Sequence, residues 1–307
     1  MCPFRLAIGA ESAANDAHEA ACGSQGGLCY GFADTIYCRK EAQTLVDTHA
    51  HLAGEAYDAD REQVLRRAAE AGVSWIVDVG ADRASSMRAV ALSESEPRVW
   101  AAVGVHPHDA ATLDAATIAE LRALAGRSRV VAIGEIGLDY YRDLAPRETQ
   151  RRAFAQQLAL ALELGLPVIV HDREAHDDTL AILRAAAARH GGSLRGVMHC
   201  FSGDAELAQH VVALGLYIGI AGPVTYPRTV ALADVVRQAP LERLLVETDS
   251  PYLAPQSRRG RRNEPAYVRQ MAERVAELRA LSFEEVARAT SSNARALFGV
   301  DMLRSAW

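Results

Sequence analysis

Leu45-Val46-Asp47-Thr48-His49-Ala50-His51 reads as a short apolar strand that ends on two histidines. In a doubly wound open sheet, the alternative for an α/β chain, this position would usually hold a glycine-rich dinucleotide loop. Here it holds imidazoles. Side chains alternate along a strand, so His49 and His51 point to one face and can share a divalent cation. An isolated pair of this kind is explained equally well as polar loop histidines. Its surroundings decide the reading.

From Thr44 onward, strand-like runs fall at 45–46, 73–79, 99–103, 130–133, 168–170, 196–198, 216–220 and 244–246. Helical stretches lie between or after them, at 60–71, 85–93, 115–125, 146–164, 179–189, 205–213, 228–237, 265–280 and 282–298. The strands are continuous apolar runs, as expected when both faces are buried. Eight such strand–helix units predict a TIM-type (β/α)8 barrel over 44–307. Residues 1–43 lack a period and carry four of the five cysteines, none in a C-x-x-C pair. They are expected to be a poorly ordered extension of unknown role, or the product of a start codon set too far upstream.

Metal-capable side chains recur at or just past the later strands: Glu135, His171, His199 and Asp249, with His106 after the third. Histidines and carboxylates at so many strand ends of one barrel are hard to explain as packing, and catalytic sites of such barrels sit at that end. Glu135 lies between Gly134 and Gly137, which let the backbone turn tightly. It is assigned to bridging two cations, with His171 and His199 completing the second position. Asp249 can ligate the first cation and take the proton of an attacking water. Asp139 is expected to organise its loop. Tyr140 and Tyr141 would form a wall or pack, and Cys200 would pack behind a ligand. Tyr57, Asp58 and His108 receive no role.

Composition sets the bounds. A formal charge of -6 does not advertise nucleic-acid binding over the whole surface. Arg258-Arg259-Gly260-Arg261-Arg262 is the densest positive cluster and would serve as a local basic track. No apolar run reaches the roughly 18 residues of a membrane span, and the N-terminus lacks the pattern of a signal peptide. The cytoplasm is the default location.

The stretches Asp47-Thr48-His49-Ala50-His51-Leu52, Gly104-Val105-His106-Pro107-His108, Gly134-Glu135-Ile136-Gly137-Leu138-Asp139-Tyr140-Tyr141, Met198-His199-Cys200-Phe201-Ser202-Gly203 and Glu247-Thr248-Asp249-Ser250-Pro251-Tyr252-Leu253 resemble the TatD family of metal-dependent deoxyribonucleases, among the amidohydrolase-like hydrolases. So do Pro167–His171 and Arg259–Pro265. The resemblance runs from about Leu45 to Gly299. It implies His49, His51, Glu135 and Asp249 around one metal, and Glu135, His171 and His199 around the other. It makes His106 a phosphate contact. It also implies magnesium-dependent hydrolysis of DNA, often from the 3′ end, with roles in DNA repair or fragmentation. Arg259 and Arg261 would hold neighbouring phosphates. Two divalent ions are expected, Mg first and Mn or Zn as alternatives, in a monomer acting on single-stranded DNA ends, with RNA an alternative. The segment before Thr44 has no counterpart in the family pattern, and Ala254–Arg258 departs from its commoner Pro-x-Pro form. Two other readings stand beside this one: a metal-dependent ester or amide hydrolase, for instance on aminoacyl nucleic acid, and a non-enzymatic nucleic-acid-binding barrel.

Overall fold

In the computed structural model, residues 44–300 are described throughout. Before them, only the backbone of two short strands is described, Cys29–Phe32 and Thr35–Cys38, paired antiparallel. The expectation for residues 1–43 otherwise lies outside the described residues, as do residues 301–307.

Eight parallel strands form the barrel: β1 Leu45–Ala50, β2 Val73–Val79, β3 Val99–Val103, β4 Val130–Asp139, β5 Val168–Arg173, β6 Gly196–Met198, β7 Tyr217–Ile220 and β8 Leu244–Val246. Each pairs with its neighbour in chain order. The seam between β8 and β1 is closed past the end of β8, where Asp249 N–H donates to His49 O at 2.9 Å and His51 N–H to Ser250 O at 2.7 Å. The expected (β/α)8 barrel is what the chain builds.

The helices are α1 Arg61–Glu70, α2 Arg83–Ser95, α3 Ala115–Ala125, α4 Arg147–Leu164, α5 His176–Arg189, α6 Ala205–Ala213, α7 Val230–Gln238, α8 Val268–Arg279 and α9 Phe283–Phe298. Local chemistry fixes their ends. Asp82 and Ser85 form a capping box at α2, Ser282 and Glu285 another at α9, and Gly299 closes α9 in the left-handed conformation. One apolar layer packs strand residues such as Leu45 and Ile76 against helix residues such as Leu158 and Met271. A second joins Val46, Val77, Ala132, Ile169 and Leu245 to Leu297 and Phe298 of α9. The buried polar side chains Asp47, His49, Asp78, His106, Glu135, Asp139, His199, Glu247 and Asp249 gather instead toward the carboxyl ends of the strands.

Three strands, β1, β4 and β5, run longer than their apolar runs suggest. Pairing of β4 with β5 shifts register between Ile133 and Ile136, then resumes through Asp139 opposite Arg173. Glu135 and His171 therefore lie within strands rather than after them, because backbone pairing continues where the apolar pattern stops. The close approach rests on glycine. A Cβ at Gly104 would sit 2.8 Å from the Gly134 carbonyl carbon, and one at Gly134 would sit 2.6 Å from the Ile169 Cβ. At Gly137, φ is +145° and a Cβ would fall 1.9 Å from His171 O. These contacts draw β3, β4 and β5 together, and with them His106, Glu135 and His171.

Gly134→Ala should therefore separate β4 from β5. The expected loss is about 1–3 kcal/mol, the cost of overpacking a well-packed core, read as a lowered Tm. An unchanged melting curve would show that the strands can part without penalty.

Candidate metal centre

Glu135 stands at the middle of the cluster, buried, with its two oxygens turned to different partners. Oε2 lies 3.5 Å from His49 Nε2 and 3.8 Å from His51 Nε2. Oε1 lies 2.7 Å from His171 Nδ1, 3.6 Å from His106 Nε2 and 3.7 Å from His199 Nε2. Asp249 closes the first group, with Oδ1 3.5 Å from His51 Nε2 and 3.9 Å from His49 Nε2. The two histidine Nε2 atoms are themselves 3.3 Å apart. Ligands about 2.1 Å from a tetrahedral metal are about 3.4 Å from one another. The spacings of His49, His51 and Asp249 thus fit one divalent ion, with Glu135 Oε2 beside both histidines.

Proton positions separate the histidines by role. His51 Nδ1 is 2.8 Å from Val79 O, to which it donates, leaving the Nε2 lone pair for a cation. His171 Nε2 is 3.1 Å from Asp139 Oδ2, which leaves Nδ1 facing Glu135. His199 Nδ1 is 2.9 Å from Glu247 Oε1, close but poorly aligned for a hydrogen bond, and its Nε2 faces Glu135 and Asp249. His106 differs. Its Nδ1 accepts from His108 N–H at 3.1 Å. Burial holds its pKa down to about 3, against the pull of Glu135. A neutral ring whose Nδ1 accepts carries its proton on Nε2, so His106 presents a donor.

Charge follows from this crowding. Burial would lower His51, but the Asp249 carboxylate outweighs it and lifts the pKa to about 9. Burial likewise opposes His171, and Asp139 with Glu135 lifts it to about 9. Burial would raise Glu135, yet His106, His199, His171 and His49 hold it well below the ordinary carboxylate range. Asp249 is also lowered, by His51 foremost, against its burial. Nitrogen and carboxylate lone pairs facing one another at these distances call for protons or a cation between them. Of the five rings, His51, His171 and His199 are raised by the carboxylates, while burial lowers His49 and His106. This donor set fits a divalent metal.

Several supporting residues were not legible as such. Asp47 on β1 accepts from Thr248 N–H at 2.8 Å and from Thr248 Oγ1 at 2.6 Å. In return Thr48 Oγ1 donates to Glu247 Oε2 at 3.2 Å. Glu247 also accepts from Cys200 N–H at 2.6 Å. Asp78 accepts from Leu52 and Ala53 N–H at 2.5 and 3.1 Å, which fixes the turn after His51. Gln157 of α4 clamps Val105 through its N–H (2.7 Å) and its carbonyl (2.9 Å), one residue before His106. Asp139 binds Arg142 N–H at 2.7 Å, as expected of a loop organiser, and also takes His108 Nε2 at 2.9 Å. Glu247 stands two residues before Asp249 in the same strand-end motif, the one signal that could have flagged it. Tyr57, unassigned from sequence, donates from its hydroxyl to Asn263 O at 2.6 Å, while Asp58 pairs with Arg61 at the surface. Cys200 is only partly buried, with φ of 43°.

The arginine cluster divides. Arg262 is bound to Asp60 at 2.7 Å, and Arg258 lies over the Tyr267 ring at 5.3 Å. Arg259 lies over Tyr226 at 4.7 Å, and Arg261 has no side-chain partner among the described residues. Tyr140 packs, donating to Asp178 at 2.5 Å, whereas Tyr141 is exposed with Arg173 at 3.9 Å over its ring. Candidate metal triads among the described residues all overlap in this one cavity.

Comparison with known proteins shows the family. Residues 46–299 match the family described as TatD related DNase. The chain is 44% identical over 257 residues to the "uncharacterized metal-dependent hydrolase YabD" of Bacillus subtilis, covering 84% of this chain and all of that protein. It is 38% identical over 261 residues to the "3'-5' ssDNA/RNA exonuclease TatD" of Escherichia fergusonii, covering 83% of this chain and 99% of the relative. Among solved structures, the TatD homologue YjjV of Escherichia coli superposes with a TM-score of 0.79 at 34% identity, over 85% of this chain and 99% of that one.

Metal and protons should compete here. With folded pKa values of about 9 against 6.5 unfolded, His51 and His171 stabilise the metal-free protein fully below pH 6.5 and cease to do so as pH rises through 9. Asp47, raised by burial to about 8, adds to the same decline. The metal-stripped protein should lose Tm between pH 6.5 and 9, while metal affinity rises over that window and binding releases protons. Calorimetry in buffers of different ionisation enthalpy reads the release directly. Metal binding without proton release below pH 8 would contradict the assigned charges.

Proposed function

The chain belongs to the TatD family of metal-dependent hydrolases, and we propose that it hydrolyses phosphodiester bonds of single-stranded DNA from the 3′ end, with RNA a further substrate. The observation that carries this reading is the division of Glu135 between two imidazole groups, with a neutral N–H donor, His106, beside the same carboxylate.

In this reading His49, His51, Glu135 and Asp249 hold one divalent ion, and Glu135, His171 and His199 hold a second. The donor set admits Mg, Mn or Zn: its imidazoles suit Zn, its carboxylates suit Mg and Mn, and Mg is the ion the family resemblance implies. Such ions, when bound, lower the pKa of a water and neutralise charge on a phosphate. The chain does the rest. Glu135 fixes the two ligand groups at one spacing. Asp249, kept ionised, is an acceptor that orients the attacking water and takes its proton. His106 donates Nε2–H to a non-bridging phosphate oxygen without adding a charge that would repel a cation. Asp139 and Val79 O hold the ligand rings in the needed tautomers. Arg259 and Arg261 engage the neighbouring phosphates. A site sunk in a barrel mouth admits a strand end more readily than a continuous duplex. The likeness to relatives named as 3'-5' ssDNA/RNA exonucleases supports the same polarity.

On end-labelled single-stranded DNA with Mg, the parent should shorten the strand stepwise. Glu135→Ala should be slower by more than about 100-fold, beyond the loss typical of an outer partner of a metal ligand. Equal rates would remove Glu135 from the centre. Intact DNA under every metal would shift the search to acyl and cyclic-amide substrates. Separately, Arg259→Ala and Arg261→Ala should each flatten the plot of log affinity against log salt by about 0.7, the value for one lost phosphate contact on a single strand. A slope that does not move would show that the arginine touches no phosphate.

A further inference from the structure

The mouth of the barrel carries an aromatic side chain for which no structural task is evident. Tyr252 is 61% exposed, three residues after Asp249. Its neighbour Leu253 is 38% exposed. Two large apolar side chains in succession on solvent, beside a strongly polar cavity, form a patch of the kind that marks a binding surface. Other tyrosines of the strand-end loops are committed. Arg173 covers Tyr141 at 3.9 Å, Arg259 covers Tyr226 at 4.7 Å, and Arg258 lies over Tyr267 at 5.3 Å. Among the described residues, Tyr252 has no cation over its ring. Its one ring partner among the described residues is His51, with centroids 5.8 Å apart and planes at 67°.

Its backbone is held firmly. Tyr252 N–H donates to Asp249 O at 2.8 Å, and its carbonyl accepts from Asn263 Nδ2 at 2.7 Å. Asn263 is itself buried and bonded to Thr248 O at 2.8 Å and, from its N–H, to Pro251 O at 3.1 Å. The ring is therefore presented from a rigid segment that also carries Asp249. The same loop bears Arg259 and Arg261. An exposed aromatic ring on a segment that also carries arginines is the combination that holds single-stranded nucleic acid, with bases on rings and phosphates on arginines.

We infer that Tyr252, backed by Leu253, is the stacking platform for the terminal nucleobase of the strand whose phosphodiester enters the metal centre. The ligand class is a flat base next to a phosphodiester, read by its π face and not by its hydrogen-bonding edge. Recognition is accordingly tolerant of sequence and demands the presence of a base. This inference rests on the nuclease reading above.

The test uses two 5′-labelled single-stranded oligonucleotides that differ only at the 3′ terminal nucleotide, which carries adenine in one and no base in the other. The parent should favour the strand with the base by about 5- to 100-fold in kcat/KM, chiefly through KM. Tyr252→Ala should abolish that preference by weakening only the strand with the base. Tyr252→Phe, which keeps the π face, should retain it. Independently of turnover, a 2-aminopurine at the 3′ terminus should lose fluorescence on binding to the metal-free parent and to Tyr252→Phe, and stay bright with Tyr252→Ala. Equal effects of Tyr252→Ala on both strands, or quenching that survives it, would overturn the platform while leaving the nuclease reading intact. A parent that binds and cleaves neither strand would overturn both.

Discussion

The structure depends most on the seam where the last strand meets the first. A barrel of parallel strands must close, and here closure and site are the same set of bonds. Asp249 N–H reaches His49 O and His51 N–H reaches Ser250 O. Beneath them Asp47 takes Thr248, and Thr48 reaches Glu247, so each strand lends the other a carboxylate and a hydroxyl. These groups are buried. Leaving any of them unpaired would cost about 1–3 kcal/mol, and more for the charged ones. The side chains that face the cavity therefore cannot drift apart without opening the barrel.

From that seam the charge balance follows. A carboxylate as buried as Glu135 is stable only when matched, and five imidazoles from four strand ends or following loops surround it. Asp139 and Glu247 then match His171 and His199 from behind. Each ring thus directs one nitrogen at the cavity; the other is turned to a protein acceptor in His51, His171 and His199, and is buried without a hydrogen-bond partner in His49. His106 is the exception. A main-chain N–H on Nδ1 makes it a neutral donor among acceptors, which sets it apart from the rings of the ligand group. Similar residue types at similar strand ends acquire different chemistry from one hydrogen bond.

The helical layer contributes more than cover. Two buried glutamines of α4, two turns apart, reach the strand ends. Gln157 clamps Val105, and Gln150 accepts from Asp139 N–H at 2.8 Å. Helix α4 thereby ties the loop bearing His106 to the end of the strand bearing Glu135. A glutamine on an otherwise periodic helix gives no sequence signal of this, since its partner lies far away in the chain.

What the sequence determined by itself was the periodic and the local. Apolar runs separated by helical stretches specify a barrel, since strand and helix periods are properties of adjacent residues. The residue types His49, His51, Glu135, His171, His199 and Asp249 mark its mouth, since each closes or follows such a run. The sequence placed Glu135 and His171 after their strands; the tertiary structure placed them inside, because pairing with the neighbouring strand and not apolarity defines where β4 and β5 end. Folding alone decided which oxygen of Glu135 faces which ring, that Arg262 is bound to Asp60 while Arg261 has no such partner among the described residues, and that the exposed Tyr252 stands beside His51. All of these depend on contacts between residues distant in the chain, whose geometry is fixed only when the eight strands close.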